Sequence, residues 1–380
     1  MTTYLIYDDA LRSPELRHEI AEPIGDPVVF IEHEGKRIVV AGVFEVPMLA
    51  RREDVVDEVW DFEELGRRDL ISDRDFPEIH IGPEIVARAV KRVGADKVCV
   101  PATFWALAAD YLRDQGIDVV VDPDEWARRR RRKTPWELEG IERAQRATET
   151  AMLTAARMLR DAEPASENRL RFEGEILTAE WIREVMSAEL LAQGAESEEI
   201  LVHSGDACLT GHDPGTGPIL QDQTCIIDCF PRDRRSGAYT DMTRTFVPGR
   251  PSDDVVKLHG HVRKALDIAY ESIKPGSADA HANVVEYFHS KGFPTLDHHD
   301  GPGHPDQGFI HGLGHGVGLQ VHERPWLSRR PDKLAVGDVV AIEPGLYFEG
   351  IGGVRLEDTV MVTENGFEHF TDPFPYDLQP

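Results

Sequence analysis

"CIIDCFPRDRRSGAYTDMTRTF", residues 225–246, places two aspartates where strands want apolar side chains. Asp228 follows Ile226 and Ile227, and Asp241 heads a second β-prone run, 242–246. Read as one hairpin, the stretch carries a carboxylate on each arm. A second strand-turn-strand, "VVAIEPGLYFEGIGGVRLEDTVMV" at 339–362, repeats the arrangement with Glu343 and Glu357. The separations are similar, 13 residues between the aspartates and 14 between the glutamates. Two such hairpins predict a pseudo-symmetric sheet whose concave face collects four carboxylates. Two ionised carboxylates about 4 Å apart repel by roughly 4 kcal/mol at an effective dielectric near 20, so protons or cations must compensate.

The histidines favour cations. "FIHGLGHGVGLQVHERP", residues 309–325, holds His311, His315 and His322 among interleaved glycines, which leave room for close approach to a site. One imidazole with four carboxylates is an oxygen-rich set, unlike a structural Cys/His zinc site. Two divalent ions match four negative charges, manganese first, with cobalt or zinc as alternatives. Paired ions of this kind sit about 3.5–4 Å apart and generate a nucleophile from water at neutral pH.

Upstream, residues 1–125 alternate short strands and helices, as in "DPVVFIEHEGKRIVVAGVFE", "PEIVARAVKRVG", "DKVCVP", "FWALAADYLRDQG" and "IDVVVDP". This predicts a small α/β domain. "WARRRRRKTP", residues 126–135, reads as a solvated basic linker. Thr134, Pro135 and Glu137 stand where an N-cap, first helical residue and capping-box partner belong, so the second domain is expected over 136–380. A helix capped by Thr178 and stopped at Gly194, and another ending at Lys274-Pro275-Gly276, are expected there. Strands are expected at about 199–204, 224–247, 309–322, 338–348 and 353–363. Helices and an antiparallel sheet in separate blocks make this domain α+β.

The chain has 380 residues, with 42 basic against 69 acidic side chains and a net charge of -27. That balance repels phosphate backbones and anionic lipid, so no nucleic-acid or membrane partner is expected. The N-terminal residues do not read as a signal peptide, and no apolar run approaches the roughly 20 residues of a membrane span. Cys99, Cys208, Cys225 and Cys229 form no CxxC pair, which fits a reducing cytoplasm.

Residues 136–371 resemble the catalytic domain of the dinuclear-metal pita-bread peptidases, and residues 1–125 the smaller N-terminal domain of the creatinase, prolidase and aminopeptidase P branch. "YTDMTRTF", "HGLGHGVGLQVHERP", "AIEPGLYF" and "GGVRLEDTVMVTENG" carry the resemblance, in family order and near-family spacing. It implies that Asp228 chelates one metal, His315 with Glu343 the other, and that Asp241 and Glu357 bridge both. It also implies that Glu343 accepts the proton of the attacking water, while His212 and His322 stabilise the carbonyl oxygen. Arg355, two residues before Glu357, is expected on the same strand face, orienting that ligand or binding a substrate carboxylate. His311 is a further candidate for substrate contact. His298, His299 and His304, with Arg329 and Arg330, read by default as surface residues.

The implied activity is hydrolysis of Xaa-Pro bonds in short peptides, as a prolidase-like dipeptidase, with an aminopeptidase P-like enzyme as the alternative. A creatinase-like amidinohydrolase keeps the fold without metals, and a catalytically silent binding module typically loses ligands; all five ligand positions are filled here. The resemblance implies a homodimer. Two departures stand beside the expected site: a loop at 229–240 two residues longer than usual, and His203 where a small residue is usual.

Overall fold

The computed structural model describes residues 2–211, 213–299 and 305–380, and the chain divides into two compact units, Met1–Arg130 and Arg131–Pro380. Among the described residues no helix is long and apolar enough to cross a membrane.

The first unit is a mixed six-stranded sheet. Its strand order is Glu58–Asp61, Lys36–Ala41, Val28–His33, Thr3–Asp8, Lys97–Val100, Asp118–Val121. Alternation decides its two faces: Leu5 and Tyr7 pack with Val29 and Ile31 under the helix Ile81–Arg92, whereas Ile6 joins Val28, Phe30 and Trp126 on the other side. The strand Thr3–Asp8 and the helix Pro14–Ile20 went unread in the sequence.

The basic stretch is not a solvated linker. Pro123–Arg131 is helical, Trp126 is buried, and the cations find carboxylates: Arg129 pairs with Glu19 and Glu32, Arg131 with Asp338, and Lys133 with Glu323. A charge run looks solvated in sequence because the acids that neutralise it lie far away along the chain.

The second unit is α+β with an internal repeat of architecture. Pro135–Asp161, opened by the Thr134–Glu137 capping box, packs with Ala179–Ala192 on a three-stranded sheet of Ile200–Ser204, Cys225–Cys229 and Met242–Phe246. Asp253–Ser272 and Ala280–Ser290 cover the other half. There the sheet order is Glu323–Leu327, Gly314–Gly316, Val339–Ile342, Asp358–Thr363, Gly366–His369.

Three expected strands break. The 309–322 run is strand only over Gly314–Gly316, because it lies against neighbouring backbone: a Cβ on Gly314 would sit 2.0 Å from the Ala341 carbonyl oxygen. The second hairpin passes between sheets, Val339–Ile342 with Asp358–Thr363 in one and Gly345–Phe348 with Gly352–Arg355 in the other. Glu343 and Glu357 occupy the two breaks, outside the regular strands.

The long 229–240 loop is anchored rather than loose. Asp233, 3% exposed, accepts hydrogen bonds from Arg143 Nε (3.0 Å) and Nη2 (2.9 Å) and from the backbone and hydroxyl of Ser236, both at 2.8 Å. The helix can approach because residue 140 is glycine; a Cβ added there would strike the Ser236 hydroxyl. Burial opposes ionisation of Asp233, but the Arg143 and Ser236 hydrogen bonds outweigh it and hold the carboxyl below its ordinary 3.8. A depressed folded-state pKa contributes stability that is present above the unfolded value and lost as pH falls through the folded one. Asp233→Asn is therefore expected to cost about 1–3 kcal/mol at pH 7. Thermal melts of both proteins should show the gap closing below about pH 4; a gap independent of pH would refute the assignment.

Candidate active site

A cavity of about 530 Å³ in the second unit is lined by Asp228, Asp241, His311, His315, His322, Glu343, Arg355 and Glu357, with an apolar wall that includes Leu201, Phe230 and Val321. The two hairpins thus do deliver their four carboxylates to one place. Ligand atoms of Asp241, His315 and Glu357 all lie within 4.8 Å of one another. His315 Nε2 is 3.8 Å from Asp241 Oδ2 and 3.8 Å from Glu343 Oε1.

The protonation pattern suits a cation. Burial pushes Asp241 and Glu357 well above the ordinary carboxylate range, helped by the charges of Glu357, Asp228 and Glu343 on the first and of Glu343 and Asp228 on the second. Burial also pushes Glu343 up to about 7 against the opposing pull of Arg355. His315 is driven down to about 4, by burial first and then by His322, so its imidazole is neutral at pH 7. Its Nδ1 donates to the Gly316 carbonyl at 3.2 Å, which leaves the Nε2 lone pair facing the acids. Asp228 Oδ1 and Asp241 Oδ1 are buried with no hydrogen-bond partner. Orphaned acceptors beside a neutral imidazole are what a metal-ion site requires of its donors.

Arg355 lines the cavity with Glu357, although the strand Gly352–Arg355 ends before that residue, and no direct hydrogen bond joins the two side chains among the described residues. Instead Arg355 Nη2 donates to Asp228 Oδ2 at 2.5 Å, Nε to Thr243 Oγ1 at 3.3 Å and Nη1 to the Tyr347 hydroxyl at 3.2 Å. Glu357 is held by the Thr243 hydroxyl at 2.6 Å. His311 faces the cavity: Nδ1 donates to the Gly312 carbonyl at 2.7 Å, so Nε2 accepts from Tyr347 Oη at 3.0 Å. A relay of hydrogen bonds therefore runs Arg355 to Tyr347 to His311. His322 is exposed at the cavity edge, its ring edge-on to His315 with centroids 4.2 Å apart. His212 lies outside the described residues, as does His304. His203 is buried, and its Nε2 donates to the Asp213 carbonyl, so it supports the loop after residue 212 rather than lining the cavity.

A residue model of metallopeptidase family M24 matches residues 139–364, more than half of the chain. The chain belongs to metallopeptidase family M24. Among curated relatives, an uncharacterized peptidase of Bacillus subtilis, YqhT, is 34% identical over 46% of this chain and 47% of its own length. The Xaa-Pro dipeptidase of Pyrococcus furiosus is 38% identical over 35% of each chain. These matches thus span less than half the length of either relative. Among solved structures, an Xaa-Pro dipeptidase from Bacillus anthracis aligns with a TM-score of 0.78 at 22% identity, covering 99% of this chain and 94% of that one. An X-Pro aminopeptidase from Thermotoga maritima aligns with a TM-score of 0.75 at 21% identity, covering 99% and 97%. At such identities the likeness establishes the fold, and the M24 fold is α+β.

Two M24-site residues escaped the sequence reading, Tyr347 and Arg244. All five N–H groups of Arg244, 1% exposed, are satisfied. Nε donates to the Pro375 carbonyl, Nη1 to the Thr243 and Glu357 carbonyls, and Nη2 to Asp358 and the Phe374 carbonyl. It clamps Glu357 to the neighbouring strand from behind. The available signal was an arginine inside the strand "MTRTF".

Proposed function

We propose that the protein is a metal-dependent exopeptidase that hydrolyses Xaa-Pro bonds in short peptides, as a prolidase-like dipeptidase. The observation that carries this reading is the convergence of Asp228, Asp241, Glu343 and Glu357 on the neutral Nε2 of His315 inside one cavity. Asp228, Asp241 and Glu357 would hold one divalent ion, and His315, Glu343, Asp241 and Glu357 a second, manganese first, with cobalt or zinc as alternatives. When bound, such ions supply the positive charge the acids lack and make water a nucleophile at neutral pH.

The remaining roles belong to side chains. Water attacks the scissile carbonyl carbon and gives its proton to Glu343, whose raised pKa matches neutral conditions. His322 donates to the carbonyl oxygen as negative charge develops on it, with His212 in the same role. The proton held by Glu343 then passes to the proline nitrogen, the C–N bond breaks, and proline leaves as a secondary amine. The dipeptidase reading takes support from Arg355, the cation available in the cavity to a carboxylate beside the proline ring. One observation favours an aminopeptidase P-like enzyme instead: Arg355 already donates to Asp228, Thr243 and Tyr347. The four cysteines are free and buried, which fits a reducing cytoplasm, and the family resemblance supports a homodimer. Initial rates on Ala-Pro, Ala-Pro-Ala and Ala-Pro amide, with and without EDTA, decide among these. The dipeptidase is expected to cleave the first alone and to lose that activity in EDTA; comparable rates on all three leave the aminopeptidase.

A further inference from the structure

The acids, His311, His315, His322, Tyr347 and Arg355 account for most of the polar lining of the cavity, and most of the remaining wall is apolar. One further ionisable side chain among the described lining residues, Glu199, has no part in the chemistry above. It directly precedes the strand Ile200–Ser204, in which Ile200 pairs with Cys229 and Leu201 with Asp228. Glu199 and Phe230 flank the ends of these two paired strands, and both line the cavity together with Leu201 and Asp228. The Ser197 hydroxyl donates to the Glu199 carbonyl and so fixes the backbone where this side chain departs. No ion pair to Glu199 occurs among the described residues.

Position decides what this carboxylate can reach. Two residues along a strand span about 7 Å, so Glu199 stands that far along the sheet from the Asp228–Leu201 pair. A substrate's free carboxylate is repelled by Glu199, which favours binding with the amino-side residue toward Glu199. The α-amine of that residue is separated from the scissile carbonyl carbon by only one atom, so it stays beside the reacting group. An extended lysine or arginine side chain carries its charge away from that group, along the wall that Glu199 lines. We propose that Glu199 is a specificity-determining residue that selects peptides with a cationic side chain before the scissile bond. The aliphatic stem lies on Leu201 and Phe230 while the charged head meets the carboxylate. This selection rests on the Xaa-Pro reading above.

The test compares kcat/KM for Arg-Pro and citrulline-Pro, each also extended by alanine, on the manganese-loaded wild type and Glu199→Gln. Citrulline keeps the shape and the α-amine of arginine without the charge. The wild type is expected to prefer arginine by about fivefold, the upper range for a solvent-touched ion pair. In Glu199→Gln the ratio should fall to about 1, by the same reasoning. A wild-type ratio near 1, or an undiminished ratio in the variant, overturns the proposal. No cleavage of any of the four substrates overturns the Xaa-Pro reading and the selection with it, a result distinct from cleavage without preference.

Discussion

Glu343→Gln is expected to lower kcat on an Xaa-Pro substrate by about a thousandfold or more, within the range that loss of a positioned general base produces. The amide preserves shape, so the change removes two properties only: the capacity to take a proton and the negative charge. Glu343 is the carboxylate best matched to that task, because burial raises it to about 7 while Arg355 pulls against the rise. Its Oε1 lies 3.8 Å from His315 Nε2, beside the acids and not in a separate pocket. The variant's metal content should be measured alongside the rate, since lost turnover with metal retained isolates the proton-transfer role. Near wild-type hydrolysis would refute it.

Asp241→Ala is expected to strip the protein of divalent metal altogether, taking elemental analysis from about two ions per chain to none, as follows if one carboxylate serves both ions. Asp241 is 4% exposed and its Oδ1 has no partner, so nothing in the protein itself explains the placement of that oxygen. Folding should survive, because the Asp241 backbone does the structural work: its N–H donates to Thr359 Oγ1 at 3.0 Å and its carbonyl accepts from the same hydroxyl at 2.9 Å. A second readout follows from charge. In EDTA the wild type keeps four acids crowded together, whereas the variant keeps three, so the metal-free variant should melt no lower than the metal-free wild type. Full metal occupancy in the variant would show that the ligand assignment is wrong.

Much of this site was legible because its acids break a local rule. A carboxylate amid Ile226, Ile227 and Cys229, or after Val339–Ile342, has no packing reason to be there, and the similar spacing of the two pairs pointed to one destination. Helix starts were equally legible, since the Thr134–Glu137 and Thr178 caps are local hydrogen bonds between near neighbours. Strand extent was less so. The 309–322 run and the breaks at Glu343 and Glu357 are set by contacts with other backbone segments, and propensity carries no record of them.

What the sequence by itself determined is therefore the chemistry present and the order in which it is strung: four acids on two hairpins, a glycine-flanked His315, and helices with readable caps. What only the tertiary structure decided is which groups pair. Arg355 bonds directly to Asp228, 127 residues away, and is linked to its near neighbour Glu357 through the Thr243 hydroxyl. Arg244 reaches Glu357 and the 374–375 carbonyls across more than 110 residues. The basic run 129–133 is neutralised by acids as distant as Asp338. Caps and turns are local, so a short window of residues specifies them. Buried charges must find partners wherever the fold brings them, and those distances exist only once the chain has closed on itself.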